Sequence, residues 1–503
     1  MLRGKLSRTF AMMALALPSP LIMGDFPDPS VIFAEGEHVA VTTGGGWAPT
    51  MRVLRSPDLT NWRLSGDVLQ RRPKWAKSSF WAPEITRLSS GGYAIYYSAA
   101  HRREKKGYCL GVATAPSTEG PWRDLGRPLR CGRYGLIDSY PTRDEQGRLH
   151  LLYKSDGNAF GKPTPIYAQR LREDGRRLFG PAKELLRNSP KTWERKVIEA
   201  PHVYFRPEDG YFYMLYSGAL CCSKRCAYGI GVARSKTLLG RWRKFEGNPI
   251  VTGGNGWRCP GHATIADGGP DGPIALYHAY RAGADRIVGR QLLAAPITFR
   301  SDGWPMIGDG RPPVAGAGAP GIAFSDDFSS RQLALDWERP LEDAPSARSG
   351  KGLRLTASRA ASRRPDAAVL SRRVGDSRYD ATAVIDRGAL RGPTTAGVSA
   401  WRNPNESISI AVGRGETTVW RRFAGRARAL GTVPTPAAGA VHVRMVARGL
   451  RFAFDVSRDG TNWRRVAPAS RLAFDDSMRL ALIAGGRPGA SARFISAALA
   501  PAG

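Results

Sequence analysis

Asp28, Asp138 and Glu199 stand in short phrases of one kind: Phe-Pro-Asp28-Pro-Ser-Val, Leu-Ile-Asp138-Ser-Tyr-Pro and Val-Ile-Glu199-Ala-Pro-His-Val. Each phrase leads into an apolar run of strand length. Two further phrases hold the same place with Trp81 (Phe-Trp-Ala-Pro-Glu-Ile) and His262 (Cys-Pro-Gly-His-Ala-Thr). Acids that share one concave pocket push each other's proton affinities apart, so that one stays an ionised base and another a protonated acid. With an aromatic platform beside them, that is equipment for hydrolysing an acetal between sugars. The plainer alternative is that Asp and Glu at strand starts hydrogen-bond turns. It accounts for one acid more readily than for three in a basic chain.

Distant residues meet only if the chain repeats. An apolar strand ending in a small or polar pair recurs at His38-Val-Ala-Val-Thr-Thr, Tyr93-Ala-Ile-Tyr-Tyr-Ser, His150-Leu-Leu-Tyr-Lys-Ser, Phe212-Tyr-Met-Leu-Tyr-Ser and Ile274-Ala-Leu-Tyr-His-Ala. A second strand and a polar turn follow each, closing on Trp62, Trp122, Trp242 and Trp304 in four of them. The period is about 55–65 residues, with Gly- or Asp-rich turns and no convincing amphipathic helix, which is the size of a β-propeller blade. Five units over residues 25–312 predict a five-bladed propeller, whose innermost strands would bring the five phrases to one mouth of the central channel. An irregular β-sandwich explains the strands but not the fivefold period.

The rest of the 503 residues are consistent with this picture. Gly 58, Pro 37 and Trp 13 fit many turns and short strands. No stretch reaches the roughly 18–20 apolar residues of a membrane span. The formal net charge is +32, but the basic residues are scattered and no zinc-finger, helix-turn-helix or RNP signature occurs, so no nucleic-acid partner is expected. The charge reads as solvated surface or as attraction to an acidic polymer. Gly44-Gly-Gly46 lacks the Gly-Lys-Ser/Thr of a phosphate cradle. Arg3, Lys5 and Arg8 precede an apolar run from Phe10 to Leu17, so residues 1–20 read as an export signal or an N-terminal arm, and the protein as secreted or periplasmic. Six cysteines, an even number, suit export. Cys109 with Cys131 and Cys222 with Cys226 are the candidate pairs, a zinc site being the rival.

Over residues 22–312 the chain resembles glycoside hydrolase family 43, the arabinofuranosidase, xylosidase and arabinanase family. The phrases that carry the resemblance are Asp25-Phe-Pro-Asp28-Pro-Ser, Trp81-Ala-Pro-Glu84, Ile137-Asp138-Ser-Tyr-Pro, Ile198-Glu199-Ala-Pro-His, Pro260-Gly-His262, Tyr277-His-Ala and Gly289-Arg290-Gln-Leu. The resemblance implies an inverting mechanism. Asp28 would be the general base, Glu199 the general acid and Asp138 the residue that orients Glu199 and keeps its proton affinity raised. Inversion needs room for a water, so the Asp28 and Glu199 carboxyls would lie roughly 6.5–9.5 Å apart. Trp81 would contact the sugar and Arg290 would face the pocket. His262 matches a histidine that in some members touches a calcium ion or its waters; the alternative is a hydrogen-bonded channel histidine, and no cofactor is required. The loop from Cys221 to Cys226 would wall the pocket or form a stapled surface turn.

Residues 21–307 are thus expected to form the propeller and 308–321, rich in Gly, Ala and Pro, a linker. Residues 322–503 would form an antiparallel sandwich, with alternating strands such as Ser407–Val412 and Val441–Val446. This half looks like the lectin-like, concanavalin A-like domain attached to many family members. Trp401 and Trp420 within it would pack in the core or stack on sugar. The segment Tyr153-Lys-Ser-Asp-Gly-Asn-Ala159 resembles exo-acting arabinofuranosidases, so removal of terminal α-L-arabinofuranose from plant cell-wall glycans is the expected activity. β-Xylosidase, galactofuranosidase and endo-arabinanase are alternatives on the same machinery, and a carbohydrate-binding propeller without catalysis is the non-enzyme alternative. The sequence is silent on oligomeric state.

Overall fold

Five antiparallel sheets follow one another along the first 307 residues of the computed structural model. The structure describes residues 17–502 apart from 104–106, 223–224, 269–271, 284, 317–322, 343, 360–363 and 473–476. The leader expected over 1–20 therefore lies mostly outside the described residues. The innermost strands are Ser30–Ala34, Ala76–Arg87, Leu136–Arg143, Ile198–Arg206 and Trp257–Asp267. Each touches the next, and the fifth touches the first, so the sheets close into a propeller. The second strands, such as Tyr93–His101 and Tyr211–Gly218, are buried along nearly their whole length. Sheets pack on both of their faces, which is why they read as continuous apolar runs and not as alternating ones. The chain start fastens the closure: Leu21 and Phe26 donate their N–H groups to the carbonyls of Leu292 and Arg290 on the fifth sheet.

The second half pairs an eight-stranded with a six-stranded antiparallel sheet. Its strands Arg378–Asp386 and Ala440–Arg448 alternate strictly between buried and half-exposed residues, as a sandwich with one wet face requires. Trp401 is 4% exposed and meets Trp47 edge-on at 5.2 Å, so it packs into the boundary between the two halves. No helix among the described residues is long and apolar enough to cross a membrane.

The two halves exchange core residues. Leu341, from the sandwich side, is buried in the core between the first two propeller sheets, and Ile287 and Val288 are buried in the sandwich core. Arg339–Pro340 pairs antiparallel with Trp47–Ala48. Glu338 lies at the centre of this seam, fully buried among Arg52, Arg373 and Arg479. Burial pushes its carboxyl up, but the three guanidiniums outweigh that and hold it down at about 2. Replacing Glu338 by Gln leaves buried Arg373 and Arg479 without their carboxylate, and Arg52 with Asp67 alone. Loss of one partner of a buried ion pair costs about 3–5 kcal/mol, so the guanidinium unfolding midpoint of Glu338→Gln should fall steeply. A midpoint within experimental error of wild type would mean that the seam is held by packing alone.

Candidate active site

In or just before each innermost strand a residue near the mouth lies in the left-handed region: Asp28 (φ 53°), Ala82 (45°), Asp138 (55°), Ala200 (54°) and His262 (54°), with Ser79 and Cys259 adding a second such residue to the second and fifth strands. None is glycine, so each costs of order 1–3 kcal/mol of backbone strain. The kink is held from the neighbouring sheet. Ala82 N–H donates to Thr43 Oγ1 (2.8 Å), Asp138 N–H to Ser98 Oγ (3.1 Å), His262 N–H to Ser217 Oγ (2.8 Å) and Asp28 N–H to His278 Nδ1 (3.1 Å). The fifth bond differs. Ala200 N–H donates to Asp138 Oδ2 at 2.9 Å, because Lys154 occupies the second-strand place that a hydroxyl or imidazole fills elsewhere.

This frame corrects the sequence alignment of the repeats. Asp28, Asp138 and His262 share the left-handed position, whereas Trp81 and Glu199 precede it by one residue, beside Ala82 and Ala200. All five side chains nevertheless lie at one mouth of the channel.

Asp28 sits in positive surroundings. Arg290 Nη1 donates to Oδ1 at 2.7 Å and Thr43 Oγ1 to Oδ2 at 2.7 Å. His278 Nδ1 and His262 Nδ1 lie 3.3 and 3.4 Å from Oδ1. Burial favours the protonated carboxyl, but Arg290 above all, with the Thr43 hydroxyl, holds it far below the usual carboxylate range. Gly289 brings Arg290 in: its φ is +94°, and a Cβ there would lie 2.3 Å from Asp25 Oδ1, which accepts Arg290 N–H.

Asp138 and Glu199 form the opposite pole. Burial, then the charge of Glu199, pushes Asp138 well above its ordinary value, with Lys154 opposing and Asp28 adding to the rise. Glu199 Oε2 accepts from Lys154 Nζ at 2.8 Å and Oε1 from Tyr228 Oη at 2.8 Å. Lys154 is completely buried; Glu199, Asp156 and Asp138 overcome the burial penalty and keep it an ammonium, also bonded to Asp156 at 3.1 Å. Gly261 makes room for the Tyr228 ring, since a Cβ there would come within 2.0 Å of it. Lys154 and Tyr228 escaped the sequence reading. Lys154 lay inside a quoted phrase, as the one long cation among repeat-end residues; Tyr228 gave no signal.

Trp81 stacks on Tyr108 with ring centroids 4.4 Å apart and, with Arg290, lines a cavity at this mouth. The cysteine pairing differs from expectation in part. Cys109–Cys131 forms, but Cys222 is bonded to Cys221 and Cys226 to Cys259, all six cysteines being in disulfides. The reason is the proximity of the fifth innermost strand: Cys259 and Cys226 pack with Tyr228 and Tyr280 in one cluster. Cys221 Sγ lies 4.0 Å from Arg290 Nη1, so the loop reaches the site. Among the described residues no three His, Cys, Asp or Glu side chains form a group that could hold a metal. His262 turns its Nδ1 toward Asp28 Oδ1 at 3.4 Å.

Residues 17–305 match the family model for glycosyl hydrolases family 43, and residues 325–479 that for the beta xylosidase C-terminal concanavalin A-like domain. The chain is 26% identical over 298 residues to extracellular endo-alpha-(1->5)-L-arabinanase 1 of Bacillus subtilis, covering 55% of this chain and 86% of that one. It is 25% identical over 369 residues to xylan 1,3-beta-xylosidase of a Vibrio species, covering 64% of each. The crystal structure of the GH43 BlXynB protein from Bacillus licheniformis shares the fold over 96% of this chain and 99% of its own, with a TM-score of 0.79 at 20% identity.

The groups facing the Asp138–Glu199 pair are Lys154, Tyr228, Asp28, Asp156 and His262. Lys154 is the only cation in hydrogen-bond contact with the pair among them. An ammonium that close favours ionisation by about 1–3 pKa units. In Lys154→Met the protonated-carboxyl C=O infrared band of the pair should therefore persist to a pH about 1 unit or more above wild type, and Lys154→Arg should restore it. An unmoved titration in Lys154→Met would remove Lys154 from the account.

Proposed function

The chain belongs to glycosyl hydrolases family 43, and we propose that it is an inverting, exo-acting member that frees terminal α-L-arabinofuranosyl units from plant cell-wall arabinan or arabinoxylan. The observation that carries this reading is the polarity of the mouth, with a carboxylate held ionised by Arg290 facing a second pair that retains a proton. Two carboxyl environments driven apart across one pocket are what acid–base displacement at an acetal carbon requires. The Tyr153–Ala159 segment supports the arabinofuranosyl choice, and its Lys154 now has a place beside the acid.

In this mechanism Asp28 takes a proton from water as the water oxygen bonds to the anomeric carbon. Glu199 gives a proton to the departing oxygen as the glycosidic bond breaks. Oε2 of Glu199 is engaged by the Lys154 ammonium, which cannot accept, so the transferable proton sits on Oε1. Tyr228 shares that oxygen and can turn its hydroxyl to accept while the acid is loaded. Asp138 repels a second charge beside it, which keeps a proton on the Asp138–Glu199 pair, and it accepts Ala200 N–H, the backbone next to the acid. Trp81 would stack on the sugar. Relatives described as extracellular support a secreted enzyme. A β-xylosidase is the second reading, favoured by the match of residues 325–479 to the beta xylosidase C-terminal domain.

Hydrolysis of 4-nitrophenyl α-L-arabinofuranoside should exceed that of the β-D-xylopyranoside; the reverse order selects the second reading, and no hydrolysis of either overturns both. Proton NMR of the first-formed sugar should show the inverted anomer. Asp28→Asn should lower kcat by about 10²–10⁴-fold, the range of one acid–base group. Glu199→Ala should lose far more on substrates with poor leaving groups than on activated aryl glycosides. Equal losses on both would remove the acid role from Glu199.

A further inference from the structure

At the catalytic mouth, where the two halves meet, lies a cavity of about 270 Å³, close to the lower end of ligand pockets, about 300 Å³. Trp81 and Arg290 form its propeller wall, and Trp47, Arg373, Arg402 and Arg479 come from the seam and the sandwich. A second cavity of about 310 Å³ shares Gly46, Trp47, Arg402 and Asn403 with it, so a groove leads from the mouth along the seam.

The cavity nearest the mouth is short of negative charge, while the second cavity also carries Glu342 and Asp366. Arg373 and Arg479 both converge on the single carboxylate of Glu338, which Arg52 also faces. Arg373 is 7% exposed and keeps its Nε and Nη1 without a hydrogen-bond acceptor. Burial, with Arg479 and Arg52 nearby, pulls its guanidinium down to about 10, the mark of a buried cation with too little counter-charge. Arg479 lies over the Trp47 ring at 4.1 Å, and Arg402 pairs with Glu406 on its outer side. Asp25 is the one acid lining the cavity; its Oδ1 accepts the Arg290 N–H, and its charge also acts on Arg373. Guanidinium groups around an aromatic face match a carboxylate on a sugar ring: the fork binds the acid and the ring stacks.

We propose that this seam groove is a subsite for a hexuronate unit, so that the enzyme prefers glycans carrying carboxylates next to the sugar it removes. The proposal rests on the glycosidase reading for what lies at the mouth, but Arg373, Arg402 and Arg479 of the groove have no part in bond cleavage. It also gives the +32 net charge a local use, since a basic surface draws an acidic polymer toward the groove.

The test is titration calorimetry of the full-length protein with galacturonate trimer and with glucuronate-substituted xylo-oligosaccharide, each against its methyl-esterified counterpart. The ester keeps the shape and removes the charge. At low salt at least one acid form should bind about tenfold or more tightly than its ester, with the gap closing as salt rises. Arg373→Met and Arg402→Gln should each abolish most of the preference. Arg402 is partly exposed and outside the Glu338 cluster, so its variant serves if Arg373→Met fails to fold. Equal binding of acid and ester in both series, or a preference that survives in Arg402→Gln, overturns the proposal. Uncharged aryl pentosides test the catalytic reading alone and these titrations the groove alone, so the two can fail separately.

Discussion

The hydrogen bond to the preceding sheet from the left-handed residues Asp28, Ala82, Asp138, Ala200 and His262 is the constraint on which the rest of this structure depends. It offsets a backbone conformation that L-residues avoid. Because the acceptor lies on another sheet, it also sets the spacing of neighbouring sheets around the channel. The last such bond, from Asp28 to His278, joins sheets 250 residues apart in sequence and so completes the ring. A kinked strand start turns its side chain toward the axis. The same geometry that closes the propeller therefore aims Asp28, Asp138 and His262 at a common point.

Charge follows from small departures in that ring. Where the repeat supplies Thr43, Ser98 or Ser217, the acceptor is neutral and the adjoining side chain is left to its surroundings. Where it supplies His278, a ring kept neutral by burial accepts the Asp28 N–H and leaves Arg290 to set the sign. Where it supplies Lys154, no acceptor is available, Asp138 takes over the backbone bond, and a cation is delivered to Glu199. One substitution in a structural repeat thus separates the two halves of an acid–base apparatus.

What the sequence disclosed, and what it withheld, follows the same division. The propeller was legible because five apolar runs with turn residues recur at one spacing, and the acids because they recur with them. The sandwich was legible in strands that alternate. The offset of Trp81 and Glu199 from the kinked position was not, since backbone φ leaves no mark when alanine occupies the left-handed site. Cys226 pairs with Cys259 across 33 residues, a partner chosen by the neighbouring sheet and not by loop length. Tyr228 and Lys154 matter through contacts between sheets, which no local pattern encodes. The arginine groove joins residues from both halves, and scattered pairs in the sequence could not foretell it.

The exchanged core residues bear on how the protein is made. Synthesis runs from the N-terminus, and domains ordinarily fold as they emerge. Here Leu341 fills the core between the first two sheets, and Ile287 and Val288 wait in the fifth for a sandwich whose last strand is Ser491–Pro501. A nascent propeller therefore leaves the ribosome with a hole in one blade and apolar residues exposed on another. Neither half has a finished interior without the other.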